Sequence, residues 1–454
     1  MGMRALIATI PTQVVTLIET LRCQLCDESF IARHRVRPQD FTRQRQLTFP
    51  LVMLFTLQKT VKSIQRHLNE FLDELAGDDL FGSVTPGAWT HARAKLKPSA
   101  FVELNVTTVL PAVYDSAPGR QMQRWHGHRL LGVDSSVLRL PNHSELLAIF
   151  TPVTVSNQNG QTGVSYPEAR MSVLYDLLNR VGLDGRLEPS SLGEIDLAIE
   201  QLALAAPGDI AINDRGFTGY RYFAWQVKRG LHFIGRCSTA SFAAAQELFR
   251  MNRAGRSITV KLFAPSAERA ELEGLGLPVE LTVRFLSVRL PTGELEVLAT
   301  NLLDEQVYPT EEFLQVYHWR WNHETFYGVM KGRLDLENFS GQTEEAVRQD
   351  FHATLLLCNL ETVLVGPTEA VLKEQSSGHQ HAKQVNRAVA FHALKSELLQ
   401  LLYSDTAVKT VVEKLQRLFC GSPVSIRPDR KVPRRKLSMH RSYYFQRCVK
   451  KTVF

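Results

Sequence analysis

The order of strand-like and helix-like segments between residues 126 and 236 constrains the fold most strongly. Three strand-like runs come first, with a turn predicted at Asp184-Gly185, and strands then alternate with helices. The predicted strands cover residues 128–133, 171–179, 185–189, 209–213 and 231–236, and the predicted helices cover 193–206 and 220–228. This order indicates an α/β fold in which a mixed sheet is flanked by helices.

The segments on either side of this region have a different character. Residues before 126 are predicted to be mostly helical, because apolar residues recur at helical spacing from Pro50 to Leu75. Residues 237–310 contain three further strand-like runs rich in Val, Leu and Thr, at 257–263, 278–289 and 294–300. The predicted regions are a helical N-terminal domain (1–125), a first part of the core (126–236), a β-rich insertion (237–310), a second part of the core with C-terminal helices (311–420) and a basic tail (421–454).

The composition is that of a globular protein, with 44% hydrophobic and 22% charged residues. We find no run of about eighteen uncharged apolar residues, so no membrane span is expected. The N-terminal segment does not have the pattern of a secretion signal, and we expect a cytoplasmic protein. Cys23 and Cys26 form one C-x2-C pair near His34, but no second pair lies at suitable spacing. They are therefore predicted to be reduced thiols rather than zinc ligands.

Positive charge is concentrated towards the end of the sequence. From Arg427 to Phe454 there are ten Lys or Arg residues and one acidic residue, a net +9 that exceeds the +7 of the whole chain. Tyr443, Tyr444 and Phe445 lie among these charges. Basic residues with interleaved aromatic residues suit contacts with nucleic acid, and a solvated tail that aids solubility is an equal alternative.

The N-terminal region also contains basic segments. They predict a helical DNA-binding domain, although basic surface helices without that role are common. The residues concerned are Arg33, Arg35, Arg37, Arg43 and Arg45 and, after a helix start at Pro86, Trp89, His91, Arg93, Lys95 and Lys97.

Four polar residues share the spacing Y-x2-R-x3-E-x6-K, namely Tyr317, Arg320, Glu324 and Lys331. On one helix at about 100° per residue, their side chains fall within an arc of roughly 60° and form a polar stripe. The opposite face is predicted to be buried through Trp319, Phe326 and Met330. A solvated amphipathic helix with an Arg–Glu pair would show the same pattern, so the stripe alone does not establish a site.

Two aspartates at predicted strand ends change this interpretation. Asp134 and Asp214 both follow apolar strands, where their side chains project from the edge of a sheet. Each alone is more often a turn former or a helix cap. Together with Glu324 they supply three carboxylates on rigid elements, the type of ligand that Mg²⁺ prefers. Phosphoryl transfer on DNA needs two such cations about 4 Å apart.

The stripe, the Gly132-Val-Asp134 strand and the Asp214-Arg-Gly-Phe217 turn resemble the DDE transposases of bacterial insertion sequences. The Y-x2-R-x3-E-x6-K spacing is that of the insertion-sequence-four group. The resemblance covers roughly residues 40 to 370. Further similar segments are 41–50, 92–98, 298–301 and 336–341.

The resemblance implies an RNase-H-like catalytic core interrupted by a β-rich insertion. Asp134, Asp214 and Glu324 would be the catalytic residues and hold two Mg²⁺ ions, with Mn²⁺ as a possible substitute. Tyr317, Arg320 and Lys331 would bind DNA phosphates near the cleavage site. The implied partners are the terminal inverted repeats of the element and target DNA, bound by a dimer in the nucleoid. The implied reaction is cleavage at the element ends followed by attack of the 3′-OH on target DNA.

Two other functions remain open from the sequence. One is a catalytically inactive DNA-binding protein of the same fold, and the other is a metal-dependent nuclease without strand transfer. One feature also departs from the family. Some members stack a flipped base on a Trp of the insertion, but all five Trp residues lie outside residues 237–310. Phe263 and Phe285 are the candidate substitutes.

Overall fold

Helices dominate the first and last parts of the described chain, and strands dominate its middle. The computed structural model describes residues 10–43, 45–59, 63–76, 83–114, 122–156, 162–376 and 380–427. Most of the predicted basic tail, including Tyr443, Tyr444 and Phe445, lies outside the described residues.

The elements are named in chain order. The helices are α1 (Thr12–Cys26), α2 (Glu28–His34), α3 (Phe49–Gln58), α4 (Ile64–Ala76), α5 (Pro86–Arg93), α6 (Ser99–Leu104), α7 (Leu110–Tyr114), α8 (Ser144–Ile149), α9 (Glu194–Leu202), α10 (Tyr220–Lys228), α11 (Ala243–Met251), α12 (Arg269–Gly274), α13 (Glu312–His318), α14 (Trp321–Gly328), α15 (Glu344–Gln375), α16 (Arg387–Ser396), α17 (Leu398–Leu402) and α18 (Val408–Gly421). The strands are β1 (Leu130–Arg139), β2 (Thr151–Ser156), β3 (Thr162–Asp176), β4 (Val181–Pro189), β5 (Ile210–Asn213), β6 (His232–Arg236), β7 (Ser257–Phe263), β8 (Glu280–Arg289), β9 (Leu295–Thr300), β10 (Lys383–Gln384) and β11 (Val424–Ser425). Two π-helical turns cover Asn105–Val109 and Val329–Arg333.

The chain divides into two compact units. The unit that we call the helical unit consists of Met1–Met122, Leu138–Ala169 and Val329–Phe454. The unit that we call the sheet unit consists of Gln123–Val137 and Arg170–Gly328.

The helical unit is built around helices that have little or no polar face. All ten residues of α3 are buried, and Pro50 lies in its first turn, where a missing N–H costs nothing. A helix that is apolar all round belongs in a core. Helix α15 is long and apolar enough to cross a membrane by length and composition, although Glu361 interrupts its apolar residues, so it contains no run of eighteen uncharged residues. In its most apolar window 72% of the residues are buried inside the protein, which is the behaviour of a core helix.

Arg93 connects α5 to α15 through all three nitrogen atoms of its guanidinium group. Its Nε donates to Oε1 of Gln349 at 2.6 Å, and its Nη1 donates to Oγ of Ser340 at 2.6 Å. Its Nη2 donates at 2.7 Å both to the Ala346 carbonyl and to Oδ1 of Asp350. The prediction that Arg93 belongs to an exposed basic helix face is therefore wrong. The side chain can be buried because its donors are paired with polar groups and its charge is paired with Asp350.

Within the sheet unit the strand order is β4–β3–β1–β5–β6–β9–β8–β7. Strand β1 pairs in parallel with β5, and β5 pairs in parallel with β6. Strands β3 and β4 lie on one side of β1, and β5 and β6 lie on its other side and run parallel to it. This is the strand order of an RNase-H-like core. Apolar residues of β1, β3 and β5 pack with α9 and α10 to form one hydrophobic cluster of this unit. The predicted α/β fold with a mixed sheet is confirmed.

The three strands predicted between residues 237 and 310 are confirmed as β7, β8 and β9. They extend the same sheet, because β9 pairs antiparallel with β6 and β8 pairs antiparallel with β9 and β7. Two helices, α11 and α12, also lie in this region.

Two local predictions are wrong. The turn predicted at Asp184-Gly185 lies instead between β3 and β4, at residues 177–180. Oδ1 of Asp176 accepts hydrogen bonds from the amides of Leu178 and Asn179, and Arg180 has φ 57°, so this turn forms without glycine. Strand β1 also continues past Asp134 to Arg139, so Asp134 lies within a strand rather than at its end.

Candidate active site

Asp134 and Asp214 lie on neighbouring parallel strands. The pairs Leu130–Ile210, Leu131–Ala211 and Gly132–Ile212 fix the register of β1 against β5. Two more residues along both strands bring Asp134 level with Asp214, which directly follows β5. Parallel strands lie about 4.8 Å apart, so the two carboxylates emerge side by side where the pairing ends.

Glu324 reaches this edge from a different element. Helix α13 carries Tyr317, α14 carries Glu324, and Arg320 lies in the turn between them. The side-chain amide of Asn322 donates to the Leu177 carbonyl at 2.9 Å, which fixes the start of α14 beside the turn after β3. The negative charge of Glu324 contributes to the electrostatics of Asp134, so the three carboxylates form one interacting group.

Burial raises the pKa of Asp134 to about 6. The Ser135 amide, which donates to Oδ1 at 2.8 Å, and the Arg320 charge lower this pKa, whereas Asp214 and Glu324 raise it. The carboxylate is thus held where its charge is incompletely compensated.

Asp214 shows the opposite balance. Burial opposes its ionisation, but the Arg215 amide and the Arg320 charge outweigh burial and lower its pKa. The Tyr317 hydroxyl also donates to Oδ1 of Asp214 at 3.1 Å. Nη1 of Arg236 lies 3.8 Å from the same oxygen.

Arg236, at the end of β6, was missed by the sequence reasoning. The buried carboxylate of Glu296 on β9 holds its guanidinium through two hydrogen bonds. The predicted strand 231–236 already ended at Arg236, next to the predicted Asp214 strand. A cation at the carboxyl end of the neighbouring parallel strand was the signal that could have identified it.

Arg320 is the central cation of the site. Its Nη2 donates to Oε1 of Glu324 at 2.9 Å, and its charge influences the pKa values of Asp134 and Asp214. Only 6% of the residue is exposed, and the guanidinium carbon lies 5.5 Å from the Tyr317 ring centre and 5.3 Å from that of Trp321. One buried cation therefore faces three carboxylates.

A family model for the transposase DDE domain matches residues 125–360 of the chain. The match covers more than half of the sequence and includes all six predicted site residues. The chain belongs to the DDE transposase family. Enzymes of this family cleave DNA and transfer the cut strand, and they generally use divalent metal ions.

A search of curated proteins gave no match. The fold is similar, with a TM-score of 0.45 and 10% identity, to a chain from a cryo-EM structure of the piggyBac transposase synaptic complex with hairpin DNA. The similarity covers 92% of this chain and 86% of that one.

The donor chemistry of the transposase site fits hard divalent cations. The three side chains offer only carboxylate oxygens, the ligand type that Mg²⁺ and Mn²⁺ prefer. Burial, together with the charges of Asp214 and Glu324, raises the pKa of Asp134, so a cation beside it would stabilise its ionised form. Within the described residues, however, no three His, Cys, Asp or Glu side chains are arranged closely enough to hold one ion.

The transposase stripe differs from the single regular helix that was predicted. It is divided among α13, a turn at residues 319–320, α14 and the π-helical turn Val329–Arg333. Tyr317 and Arg320 are buried rather than solvated, because their polar atoms bind the carboxylates of the site. Lys331 belongs to the helical unit, where burial lowers its pKa although Glu337 and Glu168 raise it.

Of the two phenylalanines considered as base-stacking residues, the transposase exposes one. Phe285 is fully buried in the core around β8, so its ring faces cannot stack on a base. Phe263 at the end of β7 is 61% exposed.

Proposed function

We propose that this enzyme is the transposase of an insertion sequence of the insertion-sequence-four group. It hydrolyses one strand at each element end and uses the freed 3′-OH to attack target DNA. The observation that carries the proposal is the strand register, which brings Asp134 level with Asp214 beside the Glu324 helix.

The proposed catalytic residues are Asp134, Asp214 and Glu324, which hold the metal ions through their carboxylates. Two bound Mg²⁺ ions would activate the attacking water and stabilise the leaving oxygen. Asp134 lies on one strand, Asp214 directly follows the neighbouring parallel strand, Glu324 lies on a helix, and all three offer only carboxylate oxygens. This supports Mg²⁺ as the ion, with Mn²⁺ as a substitute.

The proposed DNA-binding residues are Tyr317, Arg320 and Lys331. The planar guanidinium of Arg320 suits bidentate contact with a phosphate, and its Nε has no hydrogen-bond partner among the described residues. The Tyr317 hydroxyl offers a neutral hydrogen bond, and the Lys331 ammonium offers a point charge. With cations neutralising the carboxylates, Arg320 would be free to contact a phosphate in place of Glu324.

We further propose that residues 1–125 bind the terminal inverted repeats. A groove of about 1100 Å³ in the helical unit supports this proposal. Its lining includes Arg43, Arg45, His91 and Lys95 against one acidic residue, Asp40. Positive charge of this kind suits the phosphate backbone of duplex DNA. Because both ends must be cut and joined, the active form is a dimer on DNA, acting at the nucleoid.

Incubation of the purified protein with Mg²⁺, end DNA of its own element and a target plasmid tests this function. The expected result is joined products. Nicked ends without joining would instead identify a metal-dependent nuclease, and bound but unaltered DNA would identify a DNA-binding protein that has lost activity. Either outcome contradicts the proposal.

A further inference from the structure

Tyr327 lies on α14 one turn after Glu324, with its hydroxyl group inside the sheet unit. The hydroxyl donates a hydrogen bond to the main-chain carbonyl of Asp134, at 2.5 Å. It accepts a hydrogen bond from the main-chain amide of Val173 on β3, at 3.0 Å. One phenol oxygen therefore joins the helix of Glu324 to the strand of Asp134 and to the next strand of the sheet.

The contact is made where β1 keeps β3 as a neighbour but is no longer paired with β5. The last registered pair between β1 and β5 is Gly132–Ile212, two residues before Asp134. Beyond that pair, β5 no longer fixes the main chain of β1. Holding the carbonyl of Asp134 restricts the backbone dihedral next to its Cα atom, and so restricts the direction of its carboxylate.

The ring of Tyr327 is held by its neighbours. It lies 4.7 Å from the ring centre of His323 and 5.9 Å from that of Phe326. Tyr327 is also buried, so its hydroxyl is shielded from water. The phenol is thus a rigid spacer between the helix and the two strands.

We infer that Tyr327 is a positioning residue, whose hydroxyl sets the placement of the Asp134 carboxylate relative to Glu324. The inference rests on the proposed function, because it assumes that these two carboxylates bind the same pair of metal ions. It assigns a role to a residue outside the Y-x2-R-x3-E-x6-K pattern. Tyr327 is buried, and the inference assigns it no direct contact with metal or DNA.

A second buried tyrosine provides a matched control. Tyr222 on α10 is also fully buried in the sheet unit. Its hydroxyl has no hydrogen-bond partner among the residues that the structure describes. Replacing either tyrosine with phenylalanine removes one buried oxygen, but only Tyr327→Phe removes a connection to Asp134.

The test is a titration of the DNA-free protein with Mn²⁺. The concentration of free Mn²⁺ is measured from its electron paramagnetic resonance signal. Tyr327→Phe is expected to weaken Mn²⁺ binding by about tenfold, at the lower end of the range for residues that orient metal ligands. Tyr222→Phe should bind Mn²⁺ within about twofold of wild type. In cleavage assays Tyr327→Phe should need a correspondingly higher Mg²⁺ concentration for half-maximal rate. Its rate should therefore be closer to that of wild type at saturating Mg²⁺ than at low Mg²⁺.

The outcomes separate this inference from the proposed function. If Asp134→Asn binds Mn²⁺ as well as wild type, the metal assignment itself fails, whatever the tyrosine variants do. If Asp134→Asn loses binding but Tyr327→Phe matches Tyr222→Phe, the inference about Tyr327 is overturned. Should Tyr327→Phe not fold at 25 °C, the titration is repeated at 4 °C with sucrose, which stabilises folded proteins by exclusion from their surface. If the variant is also unfolded under these conditions, the inference is contradicted, because the hydroxyl would then be needed for folding rather than for positioning the Asp134 carboxylate.

Discussion

Two buried arginines in this protein face carboxylates in different ways. Arg93 in the helical unit donates hydrogen bonds through Nε, Nη1 and Nη2, and its main acidic partner is the fully buried Asp350. Arg320 in the sheet unit has one hydrogen bond to an acidic side chain, and its Nε is left without a partner among the described residues. It interacts with three carboxylates, not one.

The difference is the one that we expect between a structural ion pair and the proposed reaction centre. Around Arg93 charges and hydrogen bonds are balanced, and Arg93 and Lys59 overcome the cost of burial to lower the pKa of Asp350. Around Arg320 negative charge is in excess, and burial keeps the pKa of Asp134 raised. A buried site with surplus negative charge and unused donors is arranged for cations and phosphate that come from outside the protein.

The largest expected effect is on catalysis. Glu324→Gln should reduce cleavage of end DNA by more than about a thousandfold, because several kcal/mol of metal-based stabilisation are lost. The thermal unfolding midpoint without metal should not fall, since the substitution removes one of the surplus charges. Cleavage is measured on gels and unfolding by calorimetry. Wild-type cleavage by Glu324→Gln would remove this residue from the reaction centre.

Arg93→Met should have the opposite pattern. It leaves Asp350 buried without its main partner, and we expect a loss of about 3–5 kcal/mol in the free energy of unfolding. Denaturant titration measures this loss. The control is Arg66→Met, which removes an exposed pair with Glu70 one turn away and should cost only about 0.3–0.5 kcal/mol. Equal losses in the two variants would show that the Arg93 network is not a structural centre.

Arg320→Met should expose the difference between the two arginines. Without metal the variant should be less stable by roughly 1.5–3 kcal/mol, the range for a hydrogen bond to a charged group. Mg²⁺ should restore this stability in Arg320→Met, because cations replace the missing positive charge, but should not restore it in Arg93→Met. The measurement is the rise in unfolding midpoint on adding Mg²⁺. Equal rises in both variants would contradict the comparison.

A pH dependence of about 1–3 kcal/mol should follow from Asp134. Its pKa of about 6 in the folded protein exceeds its unfolded value of 3.8, so the folded state binds this proton more tightly. The stability contributed by Asp134 is therefore present below pH 4 and is lost as pH rises through about 6. In metal-free buffer Asp134→Asn should become more stable relative to wild type over that interval. A constant difference between pH 4 and 7 would show that Asp134 is not desolvated as described.

The parts of this account that could be predicted from the sequence depend on local patterns. Alternating Val, Leu and Thr located β7, β8 and β9, and apolar runs before Asp134 and Asp214 located the strands that carry them. These signals are carried by neighbouring residues, so a single sequence contains them.

What could not be predicted depends on contacts between distant residues. The spacing of Tyr317 and Arg320 suited a solvated helix face, but both residues are buried. Both interact there with Asp214, which is about a hundred residues away in the sequence. Arg93 likewise looked like a surface cation until its partners some 250 residues away were known. Long-range partners, rather than local propensity, decide whether a charged side chain is exposed.

The most direct test of the central claim is to locate the metal ions in the folded protein. Fe²⁺ replaces Mg²⁺, and ascorbate with peroxide generates hydroxyl radicals that cut the polypeptide near the bound ion. The account predicts cuts near Asp134, Asp214 and Glu324, which excess Mg²⁺ suppresses and Asp134→Asn weakens. Cuts that Mg²⁺ suppresses at other places in the chain, with none near these three residues, would contradict it.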